Sequence, residues 1–148
     1  MTDVLTGVLN RRGWALALDR EERRCRRHGL DAVVAVVDLD GLKAVNDADG
    51  HAAGDRRLVE CAEAIASAVR AEDTVARLGG DEFAVLAVQI VDGADGSLSP
   101  RLIEAFRQMG VQATVGCARR SEHDGLQPAV EAADRDLLAA KARSELSR

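Results

Sequence analysis

Apolar residues recur along the chain with spacings that predict four helices. Trp14, Leu18 and Cys25 fall on one side of a charged segment, so a helix is expected from Arg11 to His28, ended by Gly29. Apolar residues at helical spacing predict a second helix over residues 55–70. Two further series predict a short helix over residues 101–109 and a last helix that begins just after Pro128.

Three other segments have the composition of strands. "AVVAVVDLD" is a β-branched run without alternation, which is typical of a central strand buried on both faces and ending in carboxylates. "DTVARLGGDEFAVLAV" predicts two strands joined by a turn, in which Gly79 and Gly80 are free to take positive φ. "DGADGSLSP" is expected to be a loop, and "VQATVGCA" a last strand.

The order of these elements predicts an α/β (α+β) fold with a mixed central sheet of about five strands covered by helices. A chain of 148 residues with 47% apolar composition is most simply one domain, residues 1–148, with a single core. The chain begins almost at its first motif, so no N-terminal sensory domain is expected.

Composition excludes several classes of function. The net charge is −5, the pI is near 5.2, and the aromatic residues are only Trp14, Phe83 and Phe106, so nucleic-acid binding is not expected. No segment approaches the ~20 apolar residues of a membrane span, and the start has no signal-peptide core, so we expect a cytoplasmic protein without a membrane partner. Three widely separated cysteines predict reduced core residues rather than disulfides or a zinc site.

Carboxylates converge at one end of the predicted sheet. If the first strand lies beside the glycine hairpin, Asp38 comes close to Asp81 and Glu82. Three acids together are unfavourable without a compensating cation, and Mg²⁺ is commonly bound by one or two carboxylates together with substrate phosphates. Acids for a metal, and glycines that let a triphosphate approach, therefore explain the hairpin better than an ordinary turn does.

A second polar group follows the first strand. Lys43 is placed to meet a phosphate, and Asn46 and Asp55 carry the groups needed to recognise a purine edge, with guanine favoured because its N1–H and amine both donate. An EF-hand is excluded. Counting from Asp38, the sixth position is Lys43 instead of Gly, and counting from Asp47, the twelfth is Leu58 instead of Glu.

Four segments together resemble one known family. "DVLTGVLNRRG", "DLDGLKAVNDADGHAAGD", "RAEDTVARLGGDEFAVL" and "ADRDLLAAK" are similar, in order, to landmarks of the GGDEF family, the diguanylate cyclases. They span Asp3 to Lys141. The resemblance implies a palm-like nucleotidyl cyclase fold and the metal-dependent condensation of two GTP molecules into cyclic di-GMP and pyrophosphate.

The resemblance also implies roles for individual residues. Mg²⁺ or Mn²⁺ would be held by Asp38, Asp81 and the backbone carbonyl of Leu39, and Glu82 would be a further ligand or the group that helps to deprotonate the attacking hydroxyl. Substrate binding would fall to Asn46 and Asp55 for guanine, Lys43 and Lys141 for phosphates, and Gly79 and Gly80 beside the nucleotide.

Two further expectations concern assembly and regulation. One domain would hold one GTP, so turnover requires two sites facing each other in a two-fold homodimer. Arg70 and Asp73 form an RxxD motif that matches the family's inhibitory site for cyclic di-GMP. The alternative for this pair is an ordinary helix-end arginine beside an acid.

The chain also departs from the family pattern. Gly41 and Leu138 replace a larger residue and a tyrosine, and Glu145 stands where an arginine for the triphosphate is frequent. The segment after Phe83 is shorter than expected by about ten residues, which shortens the C-terminal half. These departures motivate an alternative function, a weak or inactive GGDEF domain that binds GTP or cyclic di-GMP as a signalling module.

Overall fold

The computed structural model describes residues 1–88 and 98–147, which form five α-helices and four strands. The helices are α1 (Arg11–His28), α2 (Leu42–Asp49), α3 (His51–Ala68), α4 (Leu98–Met109) and α5 (Leu126–Leu146). The strands are β1 (Val33–Leu39), β2 (Thr74–Gly79), β3 (Glu82–Ala87) and β4 (Ala113–Arg119). A short 3-10 helix, Arg120–Glu122, lies between β4 and α5.

The predicted α+β class is confirmed, but the described sheet has four strands where about five were expected. Their order is β2-β3-β1-β4, and each neighbouring pair is antiparallel, so the mixed sheet of the prediction is replaced by an antiparallel one. Among the described residues, Leu9 makes one isolated parallel bridge to Ala76, outside the four strands. A single bridge does not form a fifth strand.

The sheet separates two apolar cores. Alternate residues of β1, such as Val34 and Val36, pack with α1 and α5, while Val33, Ala35 and Val37 pack with α3 and α4. Both faces of the central strand are covered, which explains why its sequence is continuously apolar. The polar residue Asp38 follows this alternation and falls on the α1/α5 face.

The prediction for α1 is confirmed at both ends. The Asn10 side chain accepts a hydrogen bond from the Gly13 amide (2.9 Å) at the start, and Gly29 ends the helix with φ 63°. A residue in this left-handed conformation is most easily glycine, and its amide satisfies the carbonyl of Cys25.

Other helix boundaries were predicted wrongly. The polar stretch before residue 55 contains a helix, α2, and α3 begins at His51. Helix α5 begins at Leu126, before Pro128, because a proline in the first turn costs no intrahelical hydrogen bond. Of the predicted loop "DGADGSLSP", residues 98–100 belong to α4 and residues 92–97 lie outside the described residues.

Two local contacts fix α5 against the rest of the fold. A Cβ added to Gly116 of β4 would stand 2.2 Å from the carbonyl oxygen of Ala133 and 2.4 Å from the amide nitrogen of Leu137, so helix and strand backbones are in close contact. At the start of α5, the carboxylate of Glu22 accepts hydrogen bonds from Arg120 (3.0 and 2.8 Å) and from the Leu126 amide (2.8 Å). These contacts set the position of every side chain that α5 carries.

Candidate functional site

The acidic residues predicted to converge do lie at one end of the sheet. Asp38 on β1 is the register partner of Glu82 on β3, and the Leu39 amide donates to the Asp81 carbonyl (2.8 Å). Directly paired residues of antiparallel strands have their side chains on the same face. The pairing of β1 with the hairpin therefore brings Asp38 and Glu82 together, as expected from the sequence.

Helix α5 contributes two charged side chains to the same end of the sheet. The ammonium of Lys141 donates a hydrogen bond to Asp38, and both side chains are only partly exposed, at 35% and 20%. Asp134 lies seven residues before Lys141, on the same face of the helix. Asp134 and Glu82 both line a cleft of about 500 Å³ between α1 and α5.

The concentration of negative charge raises two carboxyl pKa values. Burial raises the pKa of Glu82, and the charges of Asp134, Asp38 and Asp81 raise it further, against the opposing effect of Arg11. Burial and the charge of Asp38 also raise the pKa of Asp134. The end of the sheet is therefore a place where a cation is favoured.

The residues present fit a hard divalent ion by their chemistry. Asp38 already forms an ion pair with the ammonium of Lys141. Carboxylate oxygens are also the donors that Mg²⁺ and Mn²⁺ prefer. Within residues 1–88 and 98–147, however, no three His, Cys, Asp or Glu side chains are already arranged as a metal site. The ligand set Asp38, Asp81, Glu82 and the Leu39 carbonyl stays a prediction.

The two hairpin glycines do not use the positive φ that glycine allows. Neither Gly79 nor Gly80 is among the glycines with positive φ. A Cβ at either position would meet nothing within 4 Å. The protein's own fold therefore requires glycine at neither position, and the open space beside this backbone is available to a ligand.

The predicted base-binding residues lie on the adjoining helices α2 and α3. Asn46 packs against α3 so closely that a Cβ on Gly54 would stand 1.7 Å from its Oδ1. This Oδ1 is buried and accepts no hydrogen bond from any described residue. A buried acceptor without a donor is uncommon. Because this oxygen faces α3 and is closed to solvent, it does not show where a base would bind, and the role of Asn46 stays a prediction.

Lys43 and Asp55 are both exposed near Asn46. Asp55 directly follows Gly54, the residue that Asn46 contacts, and lines a shallow depression together with Leu5 and Val59. The structure thus groups the three residues predicted for base and phosphate recognition, although their roles stay predictions.

The RxxD pair is engaged within the protein. The Asp73 carboxylate, which is fully buried, accepts hydrogen bonds from the amides of Val88 (3.1 Å) and Arg70 (2.9 Å). The Arg70 guanidinium donates to the Val88 carbonyl and lies 3.3 Å from Glu72. Asp73 therefore has a structural role in the turn before β2, and a role in product binding stays a prediction.

Sequence reasoning did not assign roles to three residues near this site. Arg77 donates to the Gly80 carbonyl (3.1 and 2.9 Å) and pairs with Asp3 (3.2 Å), so it joins the hairpin tip to the N-terminal loop. Arg11 donates to the Leu78 carbonyl (3.0 Å). Asp134 stands in the quoted motif "ADRDLLAAK", where its spacing of two helical turns from Lys141 was the available signal.

Two of the departures from the family pattern, Leu138 and Glu145, are on the surface of α5. Leu138 is 67% exposed, and Glu145 is exposed one turn beyond Lys141.

Among the described residues, no helix is long and apolar enough to cross a membrane.

Comparisons with known proteins agree with the geometry. The family model for the diguanylate cyclase GGDEF domain matches residues 1–146. Diguanylate cyclase DgcS of Shewanella oneidensis is 38% identical over 96% of the chain, which spans 50% of that protein. The chain thus spans about half the length of this relative.

Two solved structures are similar in fold. Diguanylate cyclase SiaD of Pseudomonas aeruginosa, crystallised with its activator SiaC, has a TM-score of 0.87 and 37% identity over 96% of this chain and 58% of its own. The GGDEF domain of DgcB from Caulobacter crescentus, in complex with cyclic di-GMP, has a TM-score of 0.86 and 27% identity, covering 95% of this chain and 90% of its own. The chain belongs to the GGDEF family of diguanylate cyclase domains.

Proposed function

We propose that this domain condenses two GTP molecules into cyclic di-GMP and pyrophosphate. The observation that carries the proposal is the pairing of Asp38 with Glu82 at the end of the sheet, with Lys141 reaching the same point from α5. Membership of the GGDEF family suggests the reaction, and the paired acids suggest where in the domain it takes place. The choice of guanine as the base rests on Asn46 and Asp55, whose side chains carry hydrogen-bonding groups that match its edge.

The residues divide into two groups by what each would bind. Asn46 and Asp55, on α2 and α3, would orient the base, and the free space over Gly79 and Gly80 would admit the triphosphate. Lys43 and Lys141 would hold phosphate oxygens. Orientation is the main contribution that a protein makes to this type of reaction, because the phosphoryl transfer itself needs little covalent help.

Asp38, Asp81, Glu82 and the Leu39 carbonyl would hold Mg²⁺ or Mn²⁺. The bound ion supplies charge neutralisation on the leaving pyrophosphate and activation of the attacking 3′-hydroxyl. Glu82 is either a ligand or the group that accepts the hydroxyl proton. A Glu82→Gln variant separates these roles. Loss of a ligand would lower Mn²⁺ affinity and turnover together, whereas loss of the proton acceptor would lower turnover far more than Mn²⁺ affinity.

Turnover would require two domains. The 3′-hydroxyl of each GTP attacks the α-phosphorus of the other, and each site holds one nucleotide, so two sites must face each other in a two-fold dimer. The rate should therefore rise faster than linearly with protein concentration when the dimer is the minor species.

The test is incubation with GTP and Mg²⁺ or Mn²⁺, followed by chromatography of the products. Asp81→Ala and Glu82→Ala should each abolish cyclic di-GMP while the far-ultraviolet circular dichroism spectrum is unchanged. Glu122→Ala, which removes an exposed acid from the 3-10 helix, is the matched control and should keep activity. Absence of product from the unaltered chain at high concentration would contradict the proposal.

A binding function is the second candidate, and Glu145 favours it. An exposed acid one turn beyond Lys141 repels a triphosphate that approaches α5. Calorimetry with cyclic di-GMP distinguishes the candidates, because tight binding without turnover supports a signalling module. Loss of that binding in Arg70→Ala would locate it at the RxxD motif.

A further inference from the structure

The contact between Lys141 and Asp38 joins two residues to which the proposed function gives different ligands. Lys141 is expected on a phosphate and Asp38 on a metal ion, yet here the ammonium donates directly to Oδ2 of the carboxylate. The two residues are 103 positions apart in sequence, so no local turn forces the contact. It arises because α5 packs across the end of β1.

The surroundings hold the ammonium in place. The ammonium is only partly exposed and donates to Asp38, and the negative charges of Asp40 and Asp81 also act on it. Asp40 is itself held on the same side by Thr114 (3.0 and 3.1 Å). The lysine is therefore the cation that currently compensates the acids at the end of the sheet.

An ammonium at this position opposes a divalent ion in two ways. It takes up a lone pair of the carboxylate oxygen that the ion needs, and it repels a second positive charge at contact distance. Its long flexible stem allows the ammonium to move to another anion, and a triphosphate is the strongest competitor for it.

We propose that Lys141 occupies Asp38 until a nucleotide triphosphate draws it away, so that nucleotide and metal bind with positive coupling. This inference rests on the proposed function of the site. Coupling of this kind is reciprocal, since a nucleotide that removes the lysine raises the affinity for metal by the same factor as metal raises the affinity for nucleotide. A domain without GTP would then hold its metal weakly.

The first test measures Mn²⁺ binding to the nucleotide-free protein by electron paramagnetic resonance of the free ion. Lys141→Met removes the charge and keeps most of the stem, and it should bind Mn²⁺ about tenfold more tightly than the unaltered protein. Arg27→Met is the matched control. It removes an exposed cation of α1 that makes no described contact with Asp38, so its Mn²⁺ affinity should not change.

The second test adds 3′-deoxy-GTP, which lacks the attacking hydroxyl and cannot condense. This nucleotide should raise Mn²⁺ affinity, after correction for the Mn²⁺–nucleotide complex in solution, more in the unaltered protein than in Lys141→Met. Lys141→Gln repeats both measurements with a side chain that still hydrogen-bonds, and should behave as the methionine variant does.

Equal Mn²⁺ affinities in the unaltered protein and Lys141→Met would overturn the inference, as would tighter binding in the unaltered protein. Neither measurement requires turnover. A chain that makes no cyclic di-GMP but shows the affinity difference refutes the proposed reaction and keeps the lysine proposal. A chain that makes cyclic di-GMP but has equal Mn²⁺ affinities in the unaltered protein and Lys141→Met keeps the proposed reaction and refutes the lysine proposal.

Discussion

Glu22 connects α1 to the start of α5, and its removal should destabilise the fold in a pH-dependent way. The hydrogen bond from Arg120 is the main cause that lowers the pKa of Glu22 from 4.5 to about 2, against burial and with help from the Leu126 amide. A group with a lowered folded pKa stabilises the protein above its unfolded pKa. That stabilisation is lost as the pH falls from 4.5 towards 2.

The size of the effect follows from the structure. A fall in pKa from 4.5 to about 2 on folding corresponds to about 3 kcal/mol of stabilisation at neutral pH. The Glu22 and Arg120 side chains are 16% and 18% exposed, so solvent screening reduces this value to about 1–2 kcal/mol. Glu22→Gln keeps the shape and one of the two acceptor oxygens while removing the charge, and should lower the free energy of unfolding by at least that amount.

The assay is urea unfolding followed by circular dichroism at pH 7, 5 and 3. Glu63→Gln, on the exposed face of α3, removes a glutamate that has no described ion pair and should leave the free energy of unfolding unchanged. The unaltered protein should have a higher free energy of unfolding than Glu22→Gln. This difference in free energy should be constant from pH 7 to 5 and smaller at pH 3. A difference below about 0.5 kcal/mol at pH 7, or one that does not narrow, would refute the reasoning.

Three further predictions follow from individual positions. Gly116→Ala forces a methyl group against the Ala133 carbonyl and should lower the free energy of unfolding by about 1–3 kcal/mol, measured by urea denaturation; an unchanged midpoint would contradict the contact. Gly79→Ala meets no atom within 4 Å, so stability should stay the same while the affinity for GTP, measured by calorimetry, falls; unchanged affinity would mean that no nucleotide passes there. Burial raises the pKa of Cys61 to about 12, and burial together with the charge of Glu21 raises the pKa of Cys25 to about 11. Both thiols should therefore react with an alkylating reagent only after the protein is unfolded in urea. Rapid reaction of the folded protein would show that these segments open.

The elements that the sequence predicted best are those whose burial repeats regularly. Helix α1 was predicted to the residue because an apolar stripe and the terminating Gly29 agree, and the structure adds the Asn10 cap. Strand β1 was equally clear, since both of its faces are buried. Helix α2 was missed because it has no buried residue, and a helix without an apolar stripe leaves no periodic signal.

The site was predictable as a set of residues, but its contacts were not. Asp38 and Glu82 were expected together because strand pairing brings the ends of β1 and β3 to one edge. The ion pair of Asp38 with Lys141 depends on how α5 crosses the sheet, which no local pattern records. Gly79 and Gly80 were interpreted as turn glycines free to take positive φ, but what distinguishes these positions is the open space around them and not a left-handed conformation.

The placement of β1 between β3 and β4 has a consequence for how the chain is made. Both partners of the central strand come later in the sequence, and β4 begins 74 residues after Leu39, its nearest pairing partner, at Ala113. A ribosome that has released only the first half of the domain exposes an apolar strand with both edges open, which is prone to aggregate with other chains. Nascent chains of this protein should therefore depend on helices α1 and α3 for shielding until the last strand is translated.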